Sequence, residues 1–119
     1  LGADLTRRIM AVQSLRFLVT ENQKLKGAVL PLLHSQLKDS RLSGGLIRDL
    51  AVWEDWSCAD QIYQIMLAKE TYSYVKLSAL RYLVGCPRPD IQNRLKKLRS
   101  NPPDWCHSWP TGFSKKDIP

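Results

Sequence analysis

The sequence predicts an all-α domain of stacked helical hairpins followed by an extended C-terminal tail. One observation is a repeated apolar phrase, SLRFLV at 14–19, which returns 65 residues later as ALRYLV at 79–84. The other is that apolar residues recur at three- and four-residue spacing, whereas no stretch alternates convincingly like a strand. We therefore expect a helical domain over 1–100 and a tail or linker over 101–119.

The length and composition fit one folded domain. The chain has 119 residues, of which 44% are hydrophobic, so wholesale disorder is not expected. Its longest apolar run, Ala28 to Leu33, is much shorter than the roughly 20 residues of a membrane span. Because the chain opens on Leu1 and ends on Pro119 without an evident stopping structure, we expect a piece of a longer protein. The lack of a visible targeting signal then carries little meaning.

Each copy of the repeated phrase extends into a longer helical pattern. We expect helices over 7–19 and 74–84, at equivalent inner positions of two hairpins, with four buried leucines: Leu15, Leu18, Leu80 and Leu83. Gly85 stands where a helix C-terminus favours glycine, and Pro87 follows it.

Three more helical patterns lie between the copies. Segment 27–39 contains Pro31, so its helix is expected either to begin at that proline or to be kinked there. The glycine pair at 44–45 is expected to break the chain before a short helical stripe that ends near Trp53. Ser57 stands where its hydroxyl can cap the next helix.

The offset between the copies indicates a structural repeat. It equals two units of about 32 residues, within the range of helical-pair repeats. A single helical pair cannot bury its apolar face alone, and stacking neighbouring pairs buries a continuous core. We therefore interpret the repeated phrase as the inner helix of a stacked hairpin.

Two stretches, VLPLLHSQLKD and YVKLSALRYLVG, carry a family resemblance. They resemble the first and second helices of HEAT or armadillo-type repeats, with Asp39 at the turn position and Val75-Lys76 at the opening of the second helix. The resemblance covers about residues 5–99. It implies an α-solenoid that acts as a scaffold and recognises proteins over an extended surface. The family has no shared catalytic residues to carry over to this chain.

The stretch 86–103 predicts a last helix, opened by Pro89 and Asp90 and closed by two prolines. Its apolar stripe is accompanied by four basic residues: Arg94, Lys96, Lys97 and Arg99. The favoured interpretation is a capping helix with a solvated outer face, and the alternative is a patch that binds a polyanion such as nucleic acid.

Large aromatic residues mark two candidate contact sites. Trp53 and Trp56 are three residues apart, and they are expected to close the gap between stacked repeats, with a hot-spot for a partner protein as the alternative. In the proline-rich tail, Trp105, Trp109 and Phe113 are expected to lie against the helices or against a partner. Free linkers rarely carry so many large rings.

Few residues point to catalysis or metal binding. For His34, no acid is placed by the sequence to orient the ring, so a structural or exposed role is expected. Cys106-His107 is the most suggestive metal pair, but zinc normally needs four ligands at spacings such as CxxC. The carboxylates of Glu54 and Asp55 are interpreted as solvated. We expect no cofactor and no metal.

Charge and cysteine content indicate which kinds of partner and which redox compartment suit the protein. The formal net charge of +7 attracts acidic partners or polyanions, although a solvated basic surface explains it equally well. The three cysteines, Cys58, Cys86 and Cys106, form no disulfide framework and favour a reducing compartment such as the cytoplasm.

Three function classes remain. The leading hypothesis is a non-enzymatic helical-repeat segment that binds another protein or another part of its own chain, with the four tryptophans as candidate contacts. The second is a nucleic-acid-binding domain of the same fold that uses the basic residues within 94–99. The third is an enzyme built on helical repeats, which needs residues that converge in a groove.

Overall fold

The computed structural model of the chain describes residues 2–101, and this range is all-helical, as predicted. Its six α-helices are α1 (Gly2–Glu21), α2 (Lys26–His34), α3 (Ser40–Val52), α4 (Ala59–Leu67), α5 (Ser73–Gly85) and α6 (Pro89–Ser100), and one 3-10 turn, Gln23–Leu25, joins α1 to α2. Within this range, no helix combines the length and the apolar character that crossing a bilayer requires. Apart from Asn101, the predicted tail lies outside the described residues.

Helix α5 forms the centre of the core, because it packs against α3 on one side and α4 on another. Its buried side chains recur at helical spacing and include Val75, Ala79, Leu80, Tyr82 and Leu83. Helix α6 covers α5 with a three-residue apolar stripe: Ile91, Leu95 and Leu98. The predicted burial of Leu80 and Leu83 is confirmed.

Helix α1 runs in the same direction as α3. The Arg8 guanidinium lies 3.1 Å from a carboxylate oxygen of Asp39, just before α3 begins. Two turns further along α1, Arg16 forms an ion pair with Asp49, which lies more than two turns into α3. The two contacts advance together along both helices, so the helices are parallel.

Helices α3 and α5 also run in the same direction. Near their first turns, a methyl group on Gly44 would come within 3.1 Å of the Tyr74 ring. At their far ends, the Tyr82 hydroxyl donates a 2.7 Å hydrogen bond to the carbonyl oxygen of Asp55. Helices α4 and α6 also begin close together, since the Asp60 carboxylate at the start of α4 forms an ion pair with Arg88 at the start of α6.

Side chains from neighbouring helices donate hydrogen bonds to the backbone carbonyl groups at three helix C-termini. The last carbonyls of a helix have no partner within it, and a donor from elsewhere stabilises them. The Lys26 ammonium donates to Trp53 after α3, and the buried Lys76 ammonium donates to Met66 at the end of α4. The Gln92 amide donates to carbonyls at the end of α5. These contacts link each of these helix ends to another helix.

Two local predictions are wrong, and a third is narrowed to one of its alternatives. The glycine pair at 44–45 lies inside α3 instead of breaking the chain, because Tyr74 and the Arg16 guanidinium occupy the space that side chains would need. Pro31 lies inside α2, which begins five residues earlier at Lys26, so a helix start at this proline is ruled out, whereas a kink there stays a prediction. Ser57 does not cap α4, since its hydroxyl donates to Asp55.

The two copies of the repeated phrase differ in burial. Leu83 is 0% exposed, whereas Leu18, at the same place in the first copy, is 43% exposed, and Leu15 is only partly buried. The predicted burial of Leu18 is therefore wrong. The cause is position: α5 has helices on several sides, whereas α1 has none against its outer side within the described residues.

Replacing each of these matched leucines by alanine tests this difference. Leu83→Ala should lower the free energy of unfolding by about 2–5 kcal/mol, as for other buried leucines. Leu18→Ala should change it by less than about 0.5 kcal/mol, as is usual for surface positions. Urea unfolding of dilute protein measures both, and equal losses would contradict the assigned places of α1 and α5.

Candidate functional site

The most distinctive surface is the outer face of α1, which consists of Arg7, Met10, Ser14, Phe17, Leu18 and Glu21. Spacing of three and four residues places these side chains on one side of the helix. Three of them are large and apolar, yet Met10 and Phe17 are each 62% exposed and Leu18 is 43% exposed. Together with Gln13, Ser14 separates the apolar side chains and lines a shallow depression between them. Large apolar groups gathered in this way are typical of an interaction surface.

The opposite face of α1 holds the helix on the domain. Val12 and Val19 are buried and Leu15 is partly buried, so this side faces the core. Arg8 donates to the Gln36 side chain at 3.1 Å and pairs with Asp39, and Arg16 pairs with Asp49. These contacts fix the rotation of α1 about its axis, so that the outer face points away from the core.

Sequence reasoning missed this surface because it placed SLRFLV in an inner helix. A signal was present: the apolar residues of α1 fall on two opposite faces instead of one stripe. Helices with apolar residues on opposite sides are covered on both sides when they are stable in water. The described residues cover one of these two sides of α1. On the other side, Met10, Phe17 and Leu18 are exposed to solvent.

The two tryptophans of the WEDW stretch pack inward. Trp53, just after α3, is 8% exposed, so burial leaves little of its ring for a partner. Trp56 is partly buried against α5, with its ring centroid 5.0 Å from that of Tyr82. Between them, Glu54 has a φ of 55°, which turns the chain sharply from α3 toward α4. The other candidate tryptophans, Trp105 and Trp109, lie outside the described residues.

A polar cluster gathers around the Asp55 carboxylate in the same turn. His34 at the end of α2 places its Nε2 2.6 Å from Asp55 Oδ2, although the two residues are 21 apart in sequence. The Ser57 hydroxyl donates to Asp55 Oδ1 at 2.7 Å. The side chain of Asp55 is only 9% exposed, so the interpretation of this carboxylate as solvated is wrong. No sequence pattern indicates this contact, because it depends on how α2 crosses the α3–α4 turn.

The geometry of this cluster favours structure over catalysis. In a nucleophilic triad the histidine lies between the carboxylate and the hydroxyl, where it can take the hydroxyl proton. Here Asp55 lies between His34 and Ser57, so the hydroxyl is bonded to the acid instead. Burial raises the pKa of the neighbouring Cys58 thiol, which keeps it protonated and unreactive.

The basic residues of α6 divide into two groups. Arg94 has an ion-pair partner, since its guanidinium lies 2.9 Å from an Asp60 carboxylate oxygen and 5.5 Å from the Tyr63 ring centroid. Lys96, Lys97 and Arg99 are exposed, and the structure assigns them no ion-pair partner among residues 2–101. The predicted polyanion patch is therefore reduced to three unpaired cations.

In the part of the chain that the structure describes, no three histidine, cysteine or acidic side chains converge to hold a metal ion. Cys106 and His107, the suggestive pair, lie outside that part. Comparison with protein-family models, with curated proteins and with solved structures finds no match to this chain. The HEAT or armadillo resemblance therefore stays a prediction.

Replacing Asp55, the acid at the centre of the polar cluster, tests whether the cluster stabilises the fold. Burial alone would raise the pKa of Asp55, but hydrogen bonds from Ser57 and His34 lower it below the ordinary 3.8. A carboxylate with a lowered pKa stabilises the fold above its unfolded pKa, and this stabilisation is lost as pH falls through the folded value. Asp55→Asn should therefore reduce the free energy of unfolding at neutral pH by about 1–3 kcal/mol.

The difference in the free energy of unfolding between the wild type and Asp55→Asn should narrow as pH falls below 3.8, because Asp55 is then increasingly protonated. Urea unfolding at a series of pH values measures it. Equal stability at neutral pH, or a difference that does not narrow in acid, would contradict the structural role of the cluster.

Proposed function

We propose that the chain is a non-enzymatic, HEAT-like scaffold segment that docks a protein surface on the outer face of α1. The observation that carries the proposal is the exposure of Met10, Phe17 and Leu18 on a helix whose rotation is fixed by ion pairs. Apolar side chains held in a fixed array can be buried by a partner with little further loss of conformational freedom.

The direction of the helices supports a repeat architecture. In stacked hairpins, corresponding helices of successive hairpins run in the same direction, as α1, α3 and α5 do here. The start of α4 also meets the start of α6. A further helix can pack against α1 in the same series, because the outer face of α1 is apolar like the faces that α3 and α5 bury against each other.

The polar groups of the domain support a scaffold more than an enzyme. His34, Asp55 and Ser57 are bonded to one another in an order unsuited to activating the hydroxyl. Lys76, a buried lysine of the kind that can serve as a base or nucleophile, donates to Met66 and Ala68 carbonyl oxygens at the end of α4.

A charge placed in the docking face tests the proposal. Phe17→Glu should remove partner binding because it puts a carboxylate at the centre of the apolar array, whereas Lys97→Glu on α6 should not. Proteins retained from a cell extract by the wild type and both variants are compared, and each candidate is then purified and titrated directly. The proposal requires a purified protein, or a second molecule of this chain, that binds the wild type and Lys97→Glu at least tenfold more tightly than Phe17→Glu, about 1.4 kcal/mol. Identical binding by all three would refute it.

A second candidate function, nucleic-acid binding, is favoured by the exposed Lys96, Lys97 and Arg99 and by the net charge of +7. Phosphate contacts make binding strongly salt-dependent, with a slope near −0.9 per contact on duplex DNA. Because α6 presents three unpaired cations among residues 2–101, we expect weak duplex binding that disappears at moderate salt. Titration of duplex and single strands across a salt series measures this. Tight binding at physiological salt that is abolished by reversing Arg94, Lys96, Lys97 and Arg99 would favour nucleic-acid binding over the scaffold.

A further inference from the structure

We propose that the outer face of α1 binds the same face of a second copy of this chain, as an antiparallel helix pair with its two-fold axis at Ser14. The proposal deepens the scaffold function and rests on it, since it names the partner of the same surface. It is derived from the order of side chains along α1, from their exposure and from their charges.

The apolar residues of the face are arranged symmetrically about Ser14. In two identical antiparallel helices centred on residue 14, each residue lies opposite the one at the same distance on the other side of the centre. Met10 and Leu18 are each four residues from Ser14, so Met10 of one copy meets Leu18 of the other, twice. Both are exposed in the single chain, at 62% and 43%. Contacts that occur twice in this way are the mark of a two-fold interface.

The charges of the face follow the same symmetry. Arg7 and Glu21 are each seven residues from Ser14, so each Arg7 lies opposite a Glu21 of the second copy. Both are exposed, and neither has an ion-pair partner among the described residues. They are 14 residues apart, about 21 Å along one helix, so they cannot pair with each other within a chain. A parallel pair would place like charges together, so the charges select the antiparallel arrangement.

The centre of the face suits a close helix crossing. Ser14 is small, and its hydroxyl already donates a 2.9 Å hydrogen bond to the carbonyl oxygen of Met10 in its own helix. Burying it at the crossing therefore leaves no unsatisfied donor. Phe17, 62% exposed, lies at the same height along the helix pair as the small Ala11 of the second copy. Large side chains over small ones allow two helices to approach within 8–10 Å.

One helix from each copy forms a small interface, so the dimer should be weak and should dissociate on dilution. Sedimentation equilibrium over a concentration series measures the dissociation constant. Arg7→Glu and Glu21→Arg should each weaken the dimer by about tenfold, because each places like charges opposite one another at both ends. The double variant Arg7→Glu/Glu21→Arg should recover the wild-type affinity. Lys97→Glu on α6 is the matched control and should leave it unchanged.

Recovery in the double variant is possible only if Arg7 faces Glu21 of another molecule, since the two cannot meet within one chain. A wild type that stays monomeric up to its solubility limit would overturn the proposal. So would a dimer that the single reversals leave intact or that the double reversal fails to restore. The five side chains that these variants alter are exposed, namely Arg7, Ser14, Phe17, Glu21 and Lys97, and circular dichroism checks that each variant folds.

Cross-linking tests the position of the two-fold axis. With Cys106 replaced by serine, the remaining native cysteines, Cys58 and Cys86, are buried. Ser14→Cys should then form a disulfide-linked dimer on mild oxidation, since its Cα atoms must lie within about 7 Å of each other, whereas Lys97→Cys should not. Equal cross-linking of both variants would contradict the assigned axis. If the chain is monomeric but a different purified protein binds the wild type and not Phe17→Glu, this inference fails and the scaffold function stands.

Discussion

The buried ammonium group of Lys76 ties α4 to α5, the two helices on which the core is built. An ammonium group is costly to bury unless it donates hydrogen bonds, and Lys76, 5% exposed, donates to Met66 at 3.0 Å and to Ala68. The Met66 carbonyl lies at the end of α4 and the Ala68 carbonyl just beyond it, so this side chain adds donors to the C-terminus of α4 and holds the first turn of α5 against it. With its start fixed, α5 presents its apolar residues to α3, α4 and α6 together, and the core forms around it.

The place of α1 follows from this core and accounts for its exposed face. Helix α3 is positioned by α5, and α1 is attached to the α3 side through Arg16 with Asp49 and through Arg8 with Asp39. Ion pairs at partly exposed sites contribute little net stability, but they specify orientation. They hold α1 with one apolar side on the core and the other in solvent. The surface that we assign to partner binding is thus a consequence of how α1 is attached.

Helix content was predictable from the sequence, whereas burial was predicted correctly for Leu80 and Leu83 and wrongly for Leu18. The repeated phrase forms a helix in both places, since helical spacing is a local property. Whether Leu18 or Leu83 is covered depends on helices that are distant in sequence, and the two differ for that reason. The glycine pair at 44–45 illustrates the same limit, because Tyr74 and Arg16 explain it only after the chain has folded. The contact of His34 with Asp55 and the outer face of α1 were missed because both depend on helix packing.

Native-state hydrogen exchange tests the central claim that α5 is the core and α1 an attached outer helix. Amides of α5 should exchange only through global unfolding, and their opening free energy should equal that from urea unfolding. In dilute protein, amides of α1 should exchange through a smaller opening that leaves α5 protected, at a rate at least tenfold faster, about 1.4 kcal/mol. If α1 is as strongly protected as α5, the two helices belong to one cooperative core. The assignment of a free outer face to α1 would then be wrong.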